Sequence, residues 1–337
     1  ILVIPVSFRD YPQYKTEEIR ENVYRTFFGN PTETGWESVA SFYYKSSFQQ
    51  LNIQGTVSEW YECGMTTAQL AATTGSSSGY DPTWRILEEA VSWYKKKYNT
   101  KGVEFDTNRD GFIDIVLLVY GAPNHTNVQN ADANLYWAYS YFDTSVFDNI
   151  KYESDLEPLK RSPVGYHYSW ASFDHMYEGY GKNSLDAHTY IHETGHLLGL
   201  PDYYVATTNS LYKTNYSPMG FVDMMDANVI DHNAFSKMSL GWIKPYVPSE
   251  SCTITINPSS ESGEFIILPT GDGWNGTPFD EYMLLEFYTP TELNQRDSNA
   301  AYSNGIRGFT MPGVRIYHVD ARLMKLDPST FRASAYV

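Results

Sequence analysis

His192-Glu193-Thr194-Gly195-His196 has the residue types and spacing of a metal-dependent hydrolytic centre. On a helix, residues four apart lie on one face, so both imidazoles can meet a single tetrahedral zinc ion. Glu193 stands beside the first ligand, where its carboxylate reaches a metal-bound water. Zinc lowers the pKa of such a water toward ~7, and the glutamate takes its proton as the oxygen attacks a carbonyl. The expected reaction is peptide-bond hydrolysis with Glu193 as general base. The bland alternative is a helix carrying two ordinary histidines and a surface glutamate, because a five-residue match also arises by chance.

Zinc in a catalytic site takes a third protein ligand, His or carboxylate. No glutamate occurs from Thr194 through Ser249, which argues against an arrangement completed by a downstream helical glutamate. Asp202, Asp223, Asp226, Asp231 and His232 remain. Asp202 is favoured, because Gly199 can end the helix in a left-handed turn and bring the chain back toward the same ion. Asn183 or Ser184 is the expected helix cap, and Ala187, Ile191, Thr194 and Leu198 the expected apolar back face.

The string His192-Glu193-x-x-His196-x-x-Gly199-x-x-Asp202 resembles the metzincin signature, with aspartate where most members carry a third histidine. Ser217-Pro218-Met219-Gly220 looks like the Met-turn of that clan, with Met219 as the floor beneath the metal and Met224 or Met225 as weaker choices. Further stretches resemble the immune inhibitor A type of secreted bacterial metallopeptidases. These are ILVIPVSFRDYP at the start, SVASFYYKSSFQQLNIQGTVSEWY, FSKMSLGWIKP (Phe235 to Pro245), DEYMLLEF (Asp280 to Phe287) and GVRIYHVD (Gly313 to Asp320). The resemblance implies a secreted, extracellular endopeptidase with protein or peptide substrates, made as a precursor whose propeptide lies outside this chain. It departs from the family in the tyrosine richness of the middle region. Tyr203, Tyr204 or Tyr216 is a candidate donor to the tetrahedral oxyanion, as in some metzincins.

A second pattern, Asp106-x-Asn108-x-Asp110-Gly111-Phe112-x-Asp114, resembles the first nine positions of an EF-hand loop, with Phe112 offering its carbonyl. The twelfth position is Leu117 and a strand follows, so the expectation is a structural calcium site closed by Asp114, against an Asx-rich turn. His318 and Asp320 sit on a strand-like segment with little to mark them as catalytic. His125, His167, His175, His188 and His232 carry no motif.

Forty acidic residues against 24 basic ones give a net charge of −16, which argues against nucleic acid or an anionic membrane as main partner. No apolar run approaches the ~20 residues of a membrane span. Ile1 to Phe8 is short and lacks a basic n-region, so it reads as a buried strand rather than a signal peptide. Cys63 and Cys252 form either one long-range disulfide or two thiols. The 29 tyrosines and eight tryptophans support a rival function, a carbohydrate-binding or adhesion module with a vestigial zinc site. Retention of Glu193 speaks against it. A purely structural zinc protein is disfavoured because such sites are closed by four side chains.

These residues need a scaffold. Helices are expected over Thr16–Phe28 (Thr16 as N-cap, Gly29 as stop), Trp36–Phe48 and from Pro82 to about Tyr98, with a loop at Ser76–Gly79. Strands are expected at Ile1–Phe8, with Pro5 keeping it near a sheet edge or strand end, at Leu51–Tyr61, and at Ile115–Tyr120, covered on both faces. Alternating segments at Cys252–Ile256, Glu264–Leu268, Tyr282–Phe287 and Gly313–Val319 make the tail strand-rich. The expected fold is α+β: a metzincin-like catalytic domain over 1–248 with a mixed sheet and an active-site helix, and a smaller β-rich C-terminal module over 249–337.

Overall fold

The computed structural model describes residues 1–73, 83–124, 136–148, 150–179, 184–204, 217–271, 273–326 and 333–336. The expectations at Ser76–Gly79, Pro82, His125, Asn183 and Tyr216 lie outside these residues. The chain is α+β, with one mixed sheet and a separate antiparallel sheet. No helix among the described residues is long and apolar enough to cross a membrane.

In chain order the first elements are β1 (Leu2–Ser7), α1 (Glu17–Phe28), α2 (Val39–Ser46), β2 (Thr56–Val57), β3 (Tyr61–Glu62), α3 (Thr67–Thr73) and α4 (Thr83–Lys97). They are followed by β4 (Val116–Tyr120), β5 (Tyr139–Phe142), α5 (Glu157–Arg161), β6 (His167–Ser172) and α6 (His188–Leu197). The remainder includes α7 (Met224–Ala227), α8 (Ala234–Ser239), β7 (Phe265–Pro269), β8 (Glu281–Tyr288) and β9 (Gly313–Asp320).

The capping chemistry read for α1 is present. Thr16 Oγ1 accepts the Ile19 amide at 3.2 Å, Glu17 and Glu18 occupy the positive end, and the Gly29 amide closes onto Arg25. The helix expected from Trp36 to Phe48 is shorter, because Ser38 Oγ accepts the Ser41 amide at its start and Phe48 takes a positive φ at its end. The strand expected over Leu51–Tyr61 survives only as the two short ladders β2 and β3.

The first sheet runs β2-β1-β4-β6-β5, with β3 also on β1. All pairings are parallel except β5 on β6. Leu2, Ile4 and Val6 of β1, with Val116, Leu118 and Tyr120 of β4, share a core with Ile86, Leu87, Ala90 and Val91 of α4. Val3, Leu117, Val119 and Ala171 are buried on the opposite face. β4 is buried at every residue, as its unbroken apolar run implies.

β1 lies near the sheet edge, one strand in, with the short β2 and β3 on one side and β4 on the other. The carbonyls of Ile1, Val3 and Ser7 accept from Thr56, Ser58 and Cys63, so odd-numbered residues face β2 and β3. β2 pairs with Leu2–Val3 and β3 with Val6–Ser7. Pro5, which has no amide hydrogen, falls in the gap between them.

Contacts divide the chain into two compact units, Ile1–Tyr43 with Asn52–Pro201, and Tyr44–Leu51 with Asp202–Val337. The division expected from the sequence lies at residue 248. Residues 202–248 group with the tail because Ala234 and Met238 of α8 share a core with Phe265 and Ile267 of β7 and Tyr282 and Leu284 of β8. The Ala234 amide also donates to Glu286 at 2.8 Å. β7, β8 and β9 form a three-stranded antiparallel sheet in this unit, and Met324–Leu326 pairs antiparallel with Ala333–Tyr336 in a separate two-stranded one. Cys252–Ile256, expected as a strand, pairs with no other strand and is largely exposed.

Candidate metal centre

α6 begins at His188, with Ala187 at the cap position and no side-chain cap. The expected cap at Ser184 is corrected: Leu185 bridges Thr34 and accepts the Gly35 amide, which commits that stretch to another partner. Asp186 Oδ1 instead accepts the His188 amide at 3.2 Å. Ala187, Ile191 and Thr194 are buried as the pattern implies, but so are His188, Tyr190, His192 and Glu193. The helix lies against β5 and β6, and hydroxyls tie it down. Tyr43 Oη donates to the Ile191 carbonyl at 2.7 Å, and Tyr190 Oη to that of Ser172 at 2.8 Å.

The His192 and His196 rings stand 4.7 Å apart between centroids, at 89°. Gly199, at φ +99°, turns the chain immediately after the helix. Its amide donates to His196 O, and that of Leu200 to Gly195 O. The same turn brings Leu200 O to 2.8 Å from His196 Nδ1. A carbonyl only accepts, so Nδ1 carries the hydrogen and Nε2 presents its lone pair to a metal. One donor atom from each of His192, His196 and Asp202 lies within 4.8 Å of the others. No other group of three His, Cys, Asp or Glu residues meets that condition among the described residues. Bonds of ~2.1 Å to a tetrahedral zinc ion space its donors by about 3.4 Å, so the donor set fits that ion in type and nearly in span. His192 is buried, His196 half-buried and Asp202 exposed, which leaves the centre open on one side.

The other carboxylate candidates for the third ligand are engaged elsewhere. Asp223 caps α7 through the Met225 amide at 2.9 Å and accepts from Asn233 Nδ2 at 2.8 Å. Burial pushes its carboxyl up to about 7. Asp226 takes the Ser217 hydroxyl and the Phe221 amide. Asp231 pairs with Lys237 at 2.5 Å and accepts from Ser46 Oγ at 2.6 Å. His232 is buried and joins no metal-binding group among the described residues.

Glu193 is 5 % exposed, and Ser140 Oγ of β5 donates to its Oε2 at 2.9 Å. On the same face of the sheet, two residues along β5, Phe142 stacks on His167 with centroids 4.1 Å apart. Burial first, then the nearby His196, lowers the His167 imidazole to about 4, so it is neutral at pH 7. At the start of α6, His188 Nδ1 lies 2.5 Å from Asp186 Oδ1, and its ring stacks on Trp36 at 4.3 Å. Sequence reasoning missed Ser140 and this His188–Asp186–Trp36 group. His188 had a signal, since it lies four residues before His192 on the same helix face; Ser140 had none.

Met219 lies half-buried in the surface turn preceding Gly220, whereas Met224 and Met225 are fully buried. The Met225 carbonyl accepts the Tyr203 amide at 2.9 Å, which places that methionine pair, rather than Met219, next to the turn bearing Asp202. Tyr203 Oη is hydrogen-bonded to Ser236 Oγ at 2.7 Å, directed away from solvent, while Tyr204 is exposed.

In the Asp106–Asp114 loop the side-chain oxygens turn onto the loop itself. Asp106 accepts the amides of Asp110 and Gly111, Asp110 that of Phe112, Asn108 that of Asp110, and Asp114 that of Thr107. This is the geometry of an Asx-rich turn. His318 lies 3.1 Å from Glu281 and Asp320 pairs with Arg322, both at the surface. Cys63 and Cys252 are both free thiols. No family model matches this chain, and no curated protein matches it.

Proposed function

We propose that this chain is a secreted zinc-dependent endopeptidase of the metzincin-like, immune inhibitor A type. The observation that carries the reading is the convergence of His192, His196 and Asp202 within 4.8 Å beside a buried glutamate. Zinc held there supplies a Lewis acid that polarises a scissile carbonyl and makes water nucleophilic at neutral pH. His196 is fixed in the coordinating tautomer by Leu200 O, and His192 stands one turn earlier on the same buried helix. Glu193 takes the proton from the attacking water and hands it to the departing amine. With three protein ligands among the described residues, the centre keeps a position for substrate, as catalytic sites do and structural sites do not.

The test pairs metal analysis with turnover of a mixed peptide library. The zinc-loaded chain should cleave peptides, and chelation should abolish cleavage. Glu193→Ala should keep its zinc and lose about 10²–10⁴-fold in turnover. Asp202→Ala should instead bind zinc more weakly. Cleavage that survives complete zinc removal, or wild-type turnover in Glu193→Ala, would sink the proposal.

A further inference from the structure

Among the described residues β5 is the one strand of the first sheet that runs antiparallel to its neighbour, and its register decides what faces α6. Tyr139 pairs with Trp170, Ser140 with Ser169, Tyr141 with Tyr168 and Phe142 with His167. Strand alternation then divides the side chains. Tyr139 packs with Trp170 against the α4-side core, so Ser140 and its pair Ser169 point to the opposite face, where α6 lies. Ser140 Oγ reaches both Glu193 Oε2 at 2.9 Å and the Glu193 carbonyl at 3.2 Å. Its single hydrogen goes to the nearer, charged oxygen, the stronger acceptor.

We infer that Ser140 is a positioning residue for Glu193. The inference rests on the peptidase reading and adds the group that holds its base in place. A glutamate has three rotatable side-chain bonds, and a carboxylate that swings cannot stay aligned with an attacking water. Ser140 has one such bond and is mounted on a sheet strand. Its hydroxyl therefore stands at a point set by the β5–β6 ladder rather than by a mobile loop. With Oε2 engaged, rotation of the carboxylate is restrained. The length of the side chain matters here: serine is short enough to sit between strand and helix, yet it still carries a donor.

Ser169 supplies an internal control. It lies beside Ser140 on the same face and is buried, but its hydroxyl makes no hydrogen bond. Removing that hydroxyl tests whether any serine between sheet and helix matters, or only the one on Glu193.

The experiment measures kcat, KM, bound zinc and melting temperature for zinc-loaded wild type, Ser140→Ala, Ser140→Thr, Ser140→Val, Ser169→Ala and Glu193→Ala. Ser140→Ala should lose about 10–100-fold in kcat, the range typical of an outer-shell partner. Its KM and zinc content should stay within about twofold of wild type. Ser140→Thr restores the hydroxyl and should recover most of the rate. Ser140→Val has the same shape without the hydroxyl and should not, so a loosened edge strand in the alanine variant cannot decide the result. Ser169→Ala should match wild type. Equal rates for the threonine and valine variants, or a wild-type rate for Ser140→Ala beside an inactive Glu193→Ala, overturn the inference and leave the peptidase reading standing. A zinc-loaded wild type that cleaves nothing overturns both.

Discussion

Replacing Gly199 by alanine tests the claim that one turn assembles the metal ligands. Gly199 sits at φ +99°, and a Cβ built there meets nothing within 4 Å. The substitution therefore adds no steric clash, and its whole cost is the backbone conformation. For an L-residue that cost is roughly 1–2 kcal/mol. It can appear in two places. If the turn keeps its shape without metal, the metal-free chain loses that stability, which at about 2–4 °C per kcal/mol is a visible fall in Tm. If the turn relaxes without metal, Asp202 leaves the histidines and zinc must pull it back. Zinc affinity then drops by the same free energy, about 5- to 30-fold. The assay is zinc competition against a chelator, run with thermal unfolding of the metal-free chain. Gly305→Ala is the control: it too has a positive φ and open space around the added carbon, so it should lower Tm without touching zinc affinity. A Gly199→Ala chain with wild-type Tm and wild-type zinc affinity would refute the role given to this turn.

Two more outcomes are expected. On the hypothesis that the Asp106–Asp114 loop exchanges its internal amide bonds for calcium, calcium at a hundredfold excess over its Kd should add ~2.7 kcal/mol of stability. Asp110→Ala should abolish that rise in Tm, and an undiminished response in the variant would place the ion elsewhere. The second concerns Asp223, whose folded-state pKa of about 7 lies above the unfolded value of 3.8. Its contribution to stability is complete below about pH 4 and is lost as pH rises toward and through 7, on the order of a few kcal/mol. Urea unfolding between pH 4 and 8 should show that decline, and Asp223→Asn, which cannot titrate, should flatten it. Parallel slopes in the two chains would contradict the assignment.

What could be read from the sequence was what short-range chemistry decides. The α1 cap at Thr16, the burial of β4 and the glycine turn before Asp202 each depend on residues a few positions apart. The group that could hold a metal ion belongs to that class, since His192, His196 and Asp202 lie within one helix and one turn. Errors came where a distant partner intervened. Ser184 did not cap α6 because Thr34 and Gly35 held its neighbour, and Cys252–Ile256 alternates like a strand but has no ladder to join. Met219, read as the Met-turn residue because it follows Ser-Pro, lies half-buried in a surface turn, while Met224 and Met225, the weaker choices, are fully buried. Ser140 was out of reach for a simple reason: its meaning lies in a register between strands far apart in the chain.

The proline in β1 is also a key cut for one lock. Sliding β1 by two residues would preserve which side chains face the core, so burial alone does not forbid it. Such a slip would bring Pro5 opposite β2 or β3, where a strand would then face a residue with no hydrogen to give. The native alignment is the one in which the missing donor faces a gap. β4 takes its alignment from β1, β6 from β4, and β5 from β6. Pro5, an odd-numbered residue facing β2 and β3, thus fixes the register on that side alone; the ladders out to the serine that meets Glu193 start from the other side of β1, where Leu2, Ile4 and Val6 face β4.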